Sequence, residues 1–254
     1  DLRDSGRSAS QSRGQNRVRS ALVIGEIALA LVLLVGASLM VQSFMRLQAA
    51  DPGFNSDRLL TMRITLAGDQ YDAISARAQY FHTVSQRLSA LPGVEAAAVT
   101  GAIPADDGGC TVAGLPAGDA RTQDDAITAT QVPAGVGLFS TLGIDLIAGR
   151  DFRPNELGDT LARVAILGER LASKLFPGGD ALNREVRIGA QHAFTVIGIA
   201  PDLQYEEFGE ELEQDRLQVT VPYAQTASRA MAVLVPARAN PAQLQTAVKD
   251  ELRA

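Results

Sequence analysis

The chain has 254 residues, enough for one domain of ordinary size with additional segments or for two small domains. Hydrophobic residues make up 46% of it and charged residues 20%, values near the globular average that exclude wholesale disorder. The formal net charge of -6 hides an asymmetry, because residues 1–20 are basic and the rest is acidic, and an acidic body argues against nucleic-acid binding.

A long apolar segment follows the basic N-terminus. From Ile27 to Met45 there is no charged residue over 19 positions, which span roughly 28 Å as a helix and therefore match the hydrocarbon core of a bilayer. A signal peptide would have a shorter apolar core, a buried core helix would be striped, and a surface helix would carry a charged face. We therefore predict a transmembrane helix at 21–47, a cytoplasmic basic segment at 1–20 and a body outside the cytoplasm.

Two features of this segment are left with more than one interpretation. Glu26 lies near its basic end, where the carboxylate either contacts a neighbouring helix or reaches the membrane interface. Gly36, Ala37 and Ser38 form a small-residue patch that favours close helix packing, although no Gly-x-x-x-Gly pair is present. The chain does not begin with Met, and we expect it to be a piece of a longer polypeptide.

The first part of the body has the pattern of a strand–helix–strand unit. Leu59–Leu66 alternates as a strand. A helix is predicted from Ala73 to Leu91, because its apolar residues repeat at spacings of three and four. Pro92 and Gly93 end that helix, and Val94–Thr100 is predicted as a second strand.

The middle of the body is less regular. Residues 101–126 are rich in Gly, Ala, Asp and Pro and are predicted to form a long loop. The following segments are predicted, in order, as a strand, a short helix, a turn, a strand, a helix and a two-stranded hairpin: Thr128–Val136, Leu138–Leu142, Gly149–Phe152, Arg163–Leu167, Glu169–Phe176, and Val186–Ile188 with Ala193–Ile199.

The end of the body has the pattern strand–strand–helix. Leu217–Val221 and Met231–Val235 are predicted strands. Asn240 and Pro241 are a strong helix start, and Leu244, Val248 and Leu252 would form the buried stripe of a final helix. The fold class predicted is α+β, with a mixed sheet built from the two chain ends around a middle insert.

A search for catalytic chemistry yields no candidate residues. There is no Walker A phosphate loop and no Gly-x-Ser-x-Gly elbow. The two histidines, His82 and His192, have no partners at metal-ligand spacing, and the paired acids of the body have no calcium-loop pattern. The lone cysteine, Cys110, cannot form an internal disulfide and has no neighbouring base in sequence. We predict no catalytic, cofactor-binding or metal-binding residue, and no enzymatic activity.

The residues carry a resemblance to a known family. Arg17–Leu47, followed by Asp51–Phe54, resembles the first transmembrane helix of an FtsX-like ABC transporter permease, of the duplicated acidobacterial type. The body resembles the MacB-like periplasmic core domain. Five ordered segments carry the second resemblance: Leu91–Val94, Phe139–Phe152, Val164–Asn183, Phe194–Asp202 and Val221–Gln225. Asp106–Asp119 and the acidic run from Glu206 to Asp215 match no pattern of the family.

The resemblance implies a two-lobed periplasmic domain, with a porter-like lobe at 55–100 and 217–254 and an inserted lobe at 101–216. It also implies a bacterial inner-membrane location and a role in coupling ATP hydrolysis to a conformational change rather than in catalysis. The partners implied are a separate cytoplasmic ABC-type ATPase, further transmembrane helices of the same permease or a second copy, and a periplasmic adaptor. The function expected is mechanotransmission or efflux. The alternative is a membrane-tethered module that binds a lipoprotein or hydrophobic ligand between its lobes, and an anchored enzyme is the third hypothesis.

Overall fold

The computed structural model describes residues 8–48, 54–55, 59–94, 96–104, 110–116, 127–158, 163–189, 192–203, 217–236 and 241–253. The chain forms two compact units, residues 1–51 and 52–254.

The first unit consists of one long helix, α1 (Ser8–Gln48). Its stretch from Arg17 to Met45 is long and apolar enough to cross a membrane, judged by length and composition. No proline interrupts α1. Its Ala and Leu residues have high helix propensity, and its Leu, Ile and Val residues favour insertion into a bilayer. The predicted segment 21–47 lies wholly within this helix.

Strands from both ends of the second unit form one part of its sheet. β1 (Leu59–Thr65) pairs antiparallel with β10 (Ala230–Pro236), and β10 pairs antiparallel with β2 (Ala98–Thr100). β10 is apolar almost throughout, as expected for a central strand, whereas β1 alternates between half-buried and exposed residues. The predicted pairing of strands from the two chain ends is therefore confirmed for β1, β2 and β10, whereas the predicted strand at Leu217–Val221 pairs elsewhere in the sheet.

Two helices cover one face of this three-stranded part. Phe81, Val84 and Leu88 of α2 (Ile74–Ser89) are buried in the same apolar cluster as Leu244 and Val248 of α7 (Pro241–Arg253). Their spacings of three and four place them on one helix face, so the sequence pattern identified these contacts correctly. Burial of each such side chain contributes roughly 1.5–3 kcal/mol.

The remaining elements lie between β2 and β10 in sequence. The strands are β3 (Cys110–Pro116), β4 (Ile127–Ala134), β5 (Ala148–Gly149), β6 (Val164–Gly168), β7 (Glu185–Ile188), β8 (His192–Ala200) and β9 (Gln218–Pro222). The helices are α3 (Leu138–Thr141), α4 (Pro154–Gly158), α5 (Glu169–Leu175) and α6 (Tyr223–Thr226). The predicted hairpin is confirmed, because β7 and β8 pair antiparallel.

Six of these strands form a closed ring in the order β4–β3–β7–β8–β6–β9, and β9 pairs back to β4. The β4–β9 and β6–β8 pairs are parallel, and the other pairs of the ring are antiparallel. Closure lets each of the six strands pair on both sides, which removes the free edges that an open sheet would expose.

Strand β4 joins the ring to the three-stranded part. Its Thr130 pairs with both β3 and β9, which therefore lie on opposite edges of β4. Its last residue, Ala134, pairs with Thr100 of β2. One continuous strand thus carries the hydrogen bonding of both parts.

The prediction of a loop over 101–126 is wrong, because β3 lies inside it. Cys110 is the first residue of β3, paired with Gln131, rather than part of a Gly-rich loop. Gly114 and Pro116 conceal the strand, since both residue types are depleted in strands and break the alternating pattern. The short helices α4 and α6 were not predicted, and Asn240 lies outside the described residues.

Candidate functional site where the chain enters the domain

The residues considered for chemistry do not come together in the part of the chain that the structure describes. Glu26 lies in α1, Cys110 in β3, His82 half-buried in α2 and His192 at the start of β8. No group of three or more His, Cys, Asp or Glu residues that could hold a metal ion occurs within the described ranges. The acidic run from Glu206 to Asp215 lies outside them.

The entry of the chain into the second unit has a defined geometry. Phe54 is half-buried, and the backbone N–H of Asn55 donates a hydrogen bond of 2.9 Å to the carbonyl of Leu142, just after α3. At Gly143 a Cβ atom would lie 3.1 Å from the Cβ of Asn55, so the two segments are in close contact. The first described residues after α1 are therefore fastened to the turn formed by α3.

Phe54 packs against a buried apolar cluster that both parts of the sheet share. We name this group the entry cluster; its members include Ala98, Val132, Ala134, Leu138, Phe139, Leu142, Phe152, Ile166, Ile197 and Leu234. It contains residues of β2 and β10 as well as residues of the ring strands β4, β6 and β8. A displacement of Phe54 would therefore act on both parts at once, because close-packed interiors transmit strain.

Asp151 closes the other end of the α3 turn. Its Oδ2 accepts a hydrogen bond of 3.1 Å from the N–H of Gly137, the residue before α3, and its Oδ1 accepts one of 2.7 Å from the N–H of Phe152. Burial raises the pKa of Asp151 above its ordinary value, although both backbone hydrogen bonds act in the opposite direction. The two backbone hydrogen bonds therefore hold the carboxylate at a buried position that disfavours its negative charge.

The neighbouring ion pair supports this arrangement. Arg150 contacts Glu156 through both nitrogens of its fork, at 3.0 Å and 2.6 Å, and Glu156 is only 6% exposed. Glu156 also accepts a hydrogen bond of 2.8 Å from the backbone N–H of Arg153. The hydrogen bond from Arg150 is the main reason that the pKa of Glu156 lies below its ordinary value. A bidentate pair of this kind fixes orientation as well as charge.

Gly149 allows the chain to pass close to β8. Its φ of +82° favours glycine, and a Cβ atom there would lie 2.2 Å from the carbonyl oxygen of Ile197. Hydrogen bonds on either side, from Ile147 to Ile199 at 2.8 Å and from Arg150 to Ile197 at 2.9 Å, hold the segment against β8. The sequence pattern indicated only a turn at Gly149–Phe152; the structure gives each of its four residues a separate contact.

A shallow cavity lies elsewhere, between α2 and α7. It has a volume of about 260 Å³ and is lined by Gln79, Tyr80, Thr83, Val84, Arg87, Leu88 and Glu251. Burial raises the pKa of Tyr80, and the guanidinium of Arg87 lies 3.8 Å from the carboxylate of Glu251 at the rim. This cavity does not lie between the two predicted lobes.

The family model described as MacB-like periplasmic core domain matches residues 20–253. The chain belongs to this family. It carries the periplasmic core domain of MacB-like permeases of ABC transporters, which are transport proteins rather than classical enzymes, together with one N-terminal helix long and apolar enough to cross a membrane. No curated protein matches the chain.

One solved structure shares this fold, and two others give weaker superpositions. The periplasmic region of MacB from Actinobacillus actinomycetemcomitans superposes with a TM-score of 0.52 at 15% identity, over 79% of this chain and 85% of that one. The extracellular domain of the noncanonic ABC-type transporter YknZ from Gram-positive bacteria gives 0.47 at 18% identity, over 74% and 88%. A domain of a putative permease from Porphyromonas gingivalis gives 0.47 at 19% identity, over 79% and 85%.

The MacB-like segment Phe139–Phe152, noted from sequence alone, coincides with the entry site. It contains most of α3, the Leu142 carbonyl, Gly149, Arg150 and Asp151. Sequence reasoning missed Glu156 and Asn55, because neither lies in a recognised motif and each acts through a partner elsewhere in the chain. For Glu156, the available sequence signal was the oppositely charged Arg150 six residues earlier.

Proposed function

We propose that this MacB-like chain is a mechanotransmitting part of a permease subunit: it couples ATP hydrolysis by a separate cytoplasmic ATPase to a conformational change of the periplasmic domain. The observation that carries the proposal is the fastening of the entry, where Asn55 is hydrogen-bonded to Leu142 and Phe54 packs on the entry cluster. Only residues 49–53 separate this fastened point from the end of α1. We propose that this short connection carries a movement of α1 to the fastened point.

We also propose the domain division expected from the sequence, with a porter-like lobe at 55–100 and 217–254 and an inserted lobe at 101–216. The pairing of β1, β10 and β2 supports the first lobe. Strand β9 belongs by sequence to the first lobe but pairs with β4 and β6 of the second. The division is therefore one of sequence, and the two lobes share hydrogen-bonded strands.

The proposed orientation places the N-terminus in the cytoplasm and the second unit in the periplasm of a bacterial inner membrane. Arg17 and Arg19 precede the apolar stretch, and positive charge favours the cytoplasmic side. The partners proposed are the ATPase, further transmembrane helices of the same permease or a second copy, and a periplasmic adaptor. We propose no catalytic role for the chain.

The test is insertion of a flexible Gly-Ser linker at Gly53 in the complete transporter. The expected result is an unchanged basal rate of ATP hydrolysis, together with loss of the ATP-dependent change in hydrogen exchange of β1 and β10. A linker of the same length at Gly178, a turn with open space around it, is the matched control and should leave that change intact. If the domain still responds to ATP with the linker at Gly53, the proposal fails.

The alternative function, a tethered binding module for a lipoprotein or hydrophobic ligand, is favoured by one observation, the cavity between α2 and α7. Tyr80, Val84 and Leu88 supply apolar surface, and the other lining residues are polar or charged. Apolar surface combined with a few polar groups is typical of ligand sites. Its volume of about 260 Å³ suits a small group only. Titration of residues 52–254 with lipopeptides tests the alternative, and absence of binding counts against it.

A further inference from the structure

We infer that Asp151 is a positioning residue for this coupling: it braces the α3 turn, so that a displacement arriving at Asn55 is passed to the domain core instead of being absorbed by the turn. The inference deepens the proposed function and rests on it.

The first step is that the α3 turn is a single hydrogen-bonded unit whose two ends are each hydrogen-bonded to another segment. Thr141 donates to Gly137 at 2.9 Å and Leu142 donates to Leu138 at 3.0 Å. At the C-terminal end the carbonyl of Leu142 accepts the hydrogen bond from Asn55. At the N-terminal end Gly137, in a left-handed conformation with φ +78°, donates to Asp151. Asp151 therefore holds the end of the turn that is remote from the entry.

The second step is that Asp151 is itself immobilised. Its second oxygen accepts the N–H of Phe152, whose side chain is 3% exposed within the entry cluster. Its own backbone carbonyl accepts a hydrogen bond of 3.0 Å from Arg150, which is engaged with the buried Glu156. Because these contacts fix Asp151 to the core, its side chain resists a movement of the α3 turn.

The third step concerns the choice of side chain. An asparagine has nearly the same shape, but it offers a carbonyl oxygen to one of the two N–H groups and an NH₂ donor to the other. An ionised acceptor also holds a backbone N–H more tightly than a neutral amide does. Since burial disfavours the charge of Asp151, removal of the charge relieves a desolvation cost and partly offsets the lost hydrogen bond. We therefore expect Asp151→Asn to loosen the turn with little change in overall stability.

The experiment compares Asp151→Asn with wild type in the complete transporter, and Asp145→Asn, an exposed position six residues earlier, is the matched control. In Asp151→Asn we expect the amide of Asn55 to exchange about tenfold faster, as a 1.4 kcal/mol loosening would give. We also expect a several-fold smaller ATP-dependent exchange change in β10, with a thermal midpoint within a few degrees of wild type. Asp145→Asn should match wild type in all three measurements.

The outcomes separate this inference from the proposed function. If the linker at Gly53 abolishes the response of β10 to ATP while Asp151→Asn leaves that response and the Asn55 exchange unchanged, the bracing role is wrong and the proposed function stands. If neither change affects the response, the proposed function is wrong. Should Asp151→Asn not fold, Asp151→Glu replaces it with the same readouts, because the extra methylene displaces the carboxylate from its hydrogen-bonded position while keeping its charge. A normal response in that variant would overturn the inference.

Discussion

Substitution of Gly149 by alanine tests the reasoning about the entry site at its tightest point. The residue has φ +82°, and a left-handed conformation costs an L-residue roughly 1–2 kcal/mol. The new Cβ atom would also lie 2.2 Å from the carbonyl oxygen of Ile197, so β8 or the segment itself must move. That movement disrupts the two flanking hydrogen bonds to β8, each worth about 0.5–1.5 kcal/mol net. The expected loss is therefore about 2–5 kcal/mol of the free energy of unfolding.

Gly178→Ala is the matched control for this substitution. Gly178 has φ +70°, but no atom lies within 4 Å of the position where its Cβ would be. It should lose only the conformational term, roughly 1–2 kcal/mol. Urea unfolding of the full chain in detergent, followed by far-UV circular dichroism, measures both variants with the m-value as a check on two-state behaviour. Equal losses in the two variants would refute the steric argument and the contact between Gly149 and β8.

Two further predictions concern charge and topology. The pKa of Glu156 is lower in the folded protein than its ordinary value of 4.5, so the unfolded state binds the proton more readily. The stabilisation from the Arg150–Glu156 pair is therefore present above pH 4.5 and is lost as the pH falls through the pKa of the folded state. Glu156→Gln should therefore cost stability at neutral pH and progressively less below pH 4.5 in urea titrations, whereas a pH-independent cost would contradict the ion pair. In a Cys110→Ser background, Ser173→Cys should react with a membrane-impermeant thiol reagent in outer-membrane-permeabilised cells, and Ser12→Cys only after lysis of the inner membrane. The reverse pattern would overturn the proposed orientation.

Local sequence patterns were sufficient to predict the helices α1 and α2. The helix α2 was predicted from the spacing of Phe81, Val84 and Leu88, and all three are buried. α1 was predicted from the absence of charge over a length that matches a bilayer. For α2 the physical cause is burial of one apolar face, which involves residues one or two turns apart and is therefore visible in a short stretch of sequence.

Closure of the ring could not be predicted in the same way. It depends on parallel pairing of β4 with β9, in which Thr130 lies opposite Gln218. No pattern within either strand specifies a partner so distant in sequence, and two parallel strands need a long connection of unspecified path. β3 was missed for a related reason, because its pairing with β4 and β7 compensates for Gly114 and Pro116, which are poor strand residues by themselves.

The candidate site could be predicted only in part from the sequence. The resemblance to MacB-like domains drew attention to Phe139–Phe152, but it did not say what Asp151 contacts. Its partner Gly137 lies fourteen residues earlier, and Asn55 meets Leu142 across a much longer separation. Such contacts depend on the packing of α3 between strands, which only the three-dimensional structure specifies.

The continuity of β4 bears on the choice between the two proposed functions. A module that closes on a ligand between two lobes needs a hinge between them. Here Ala134 pairs with Thr100, Gly101 donates to Pro133 at 2.7 Å and Gly135 donates to Val99 at 2.8 Å. A hinge at this junction would have to break these hydrogen bonds and open the entry cluster, which contains residues from both sides. The shared strand therefore disfavours ligand capture between two lobes, and it supports the proposal that a displacement at the entry reaches both parts of the sheet.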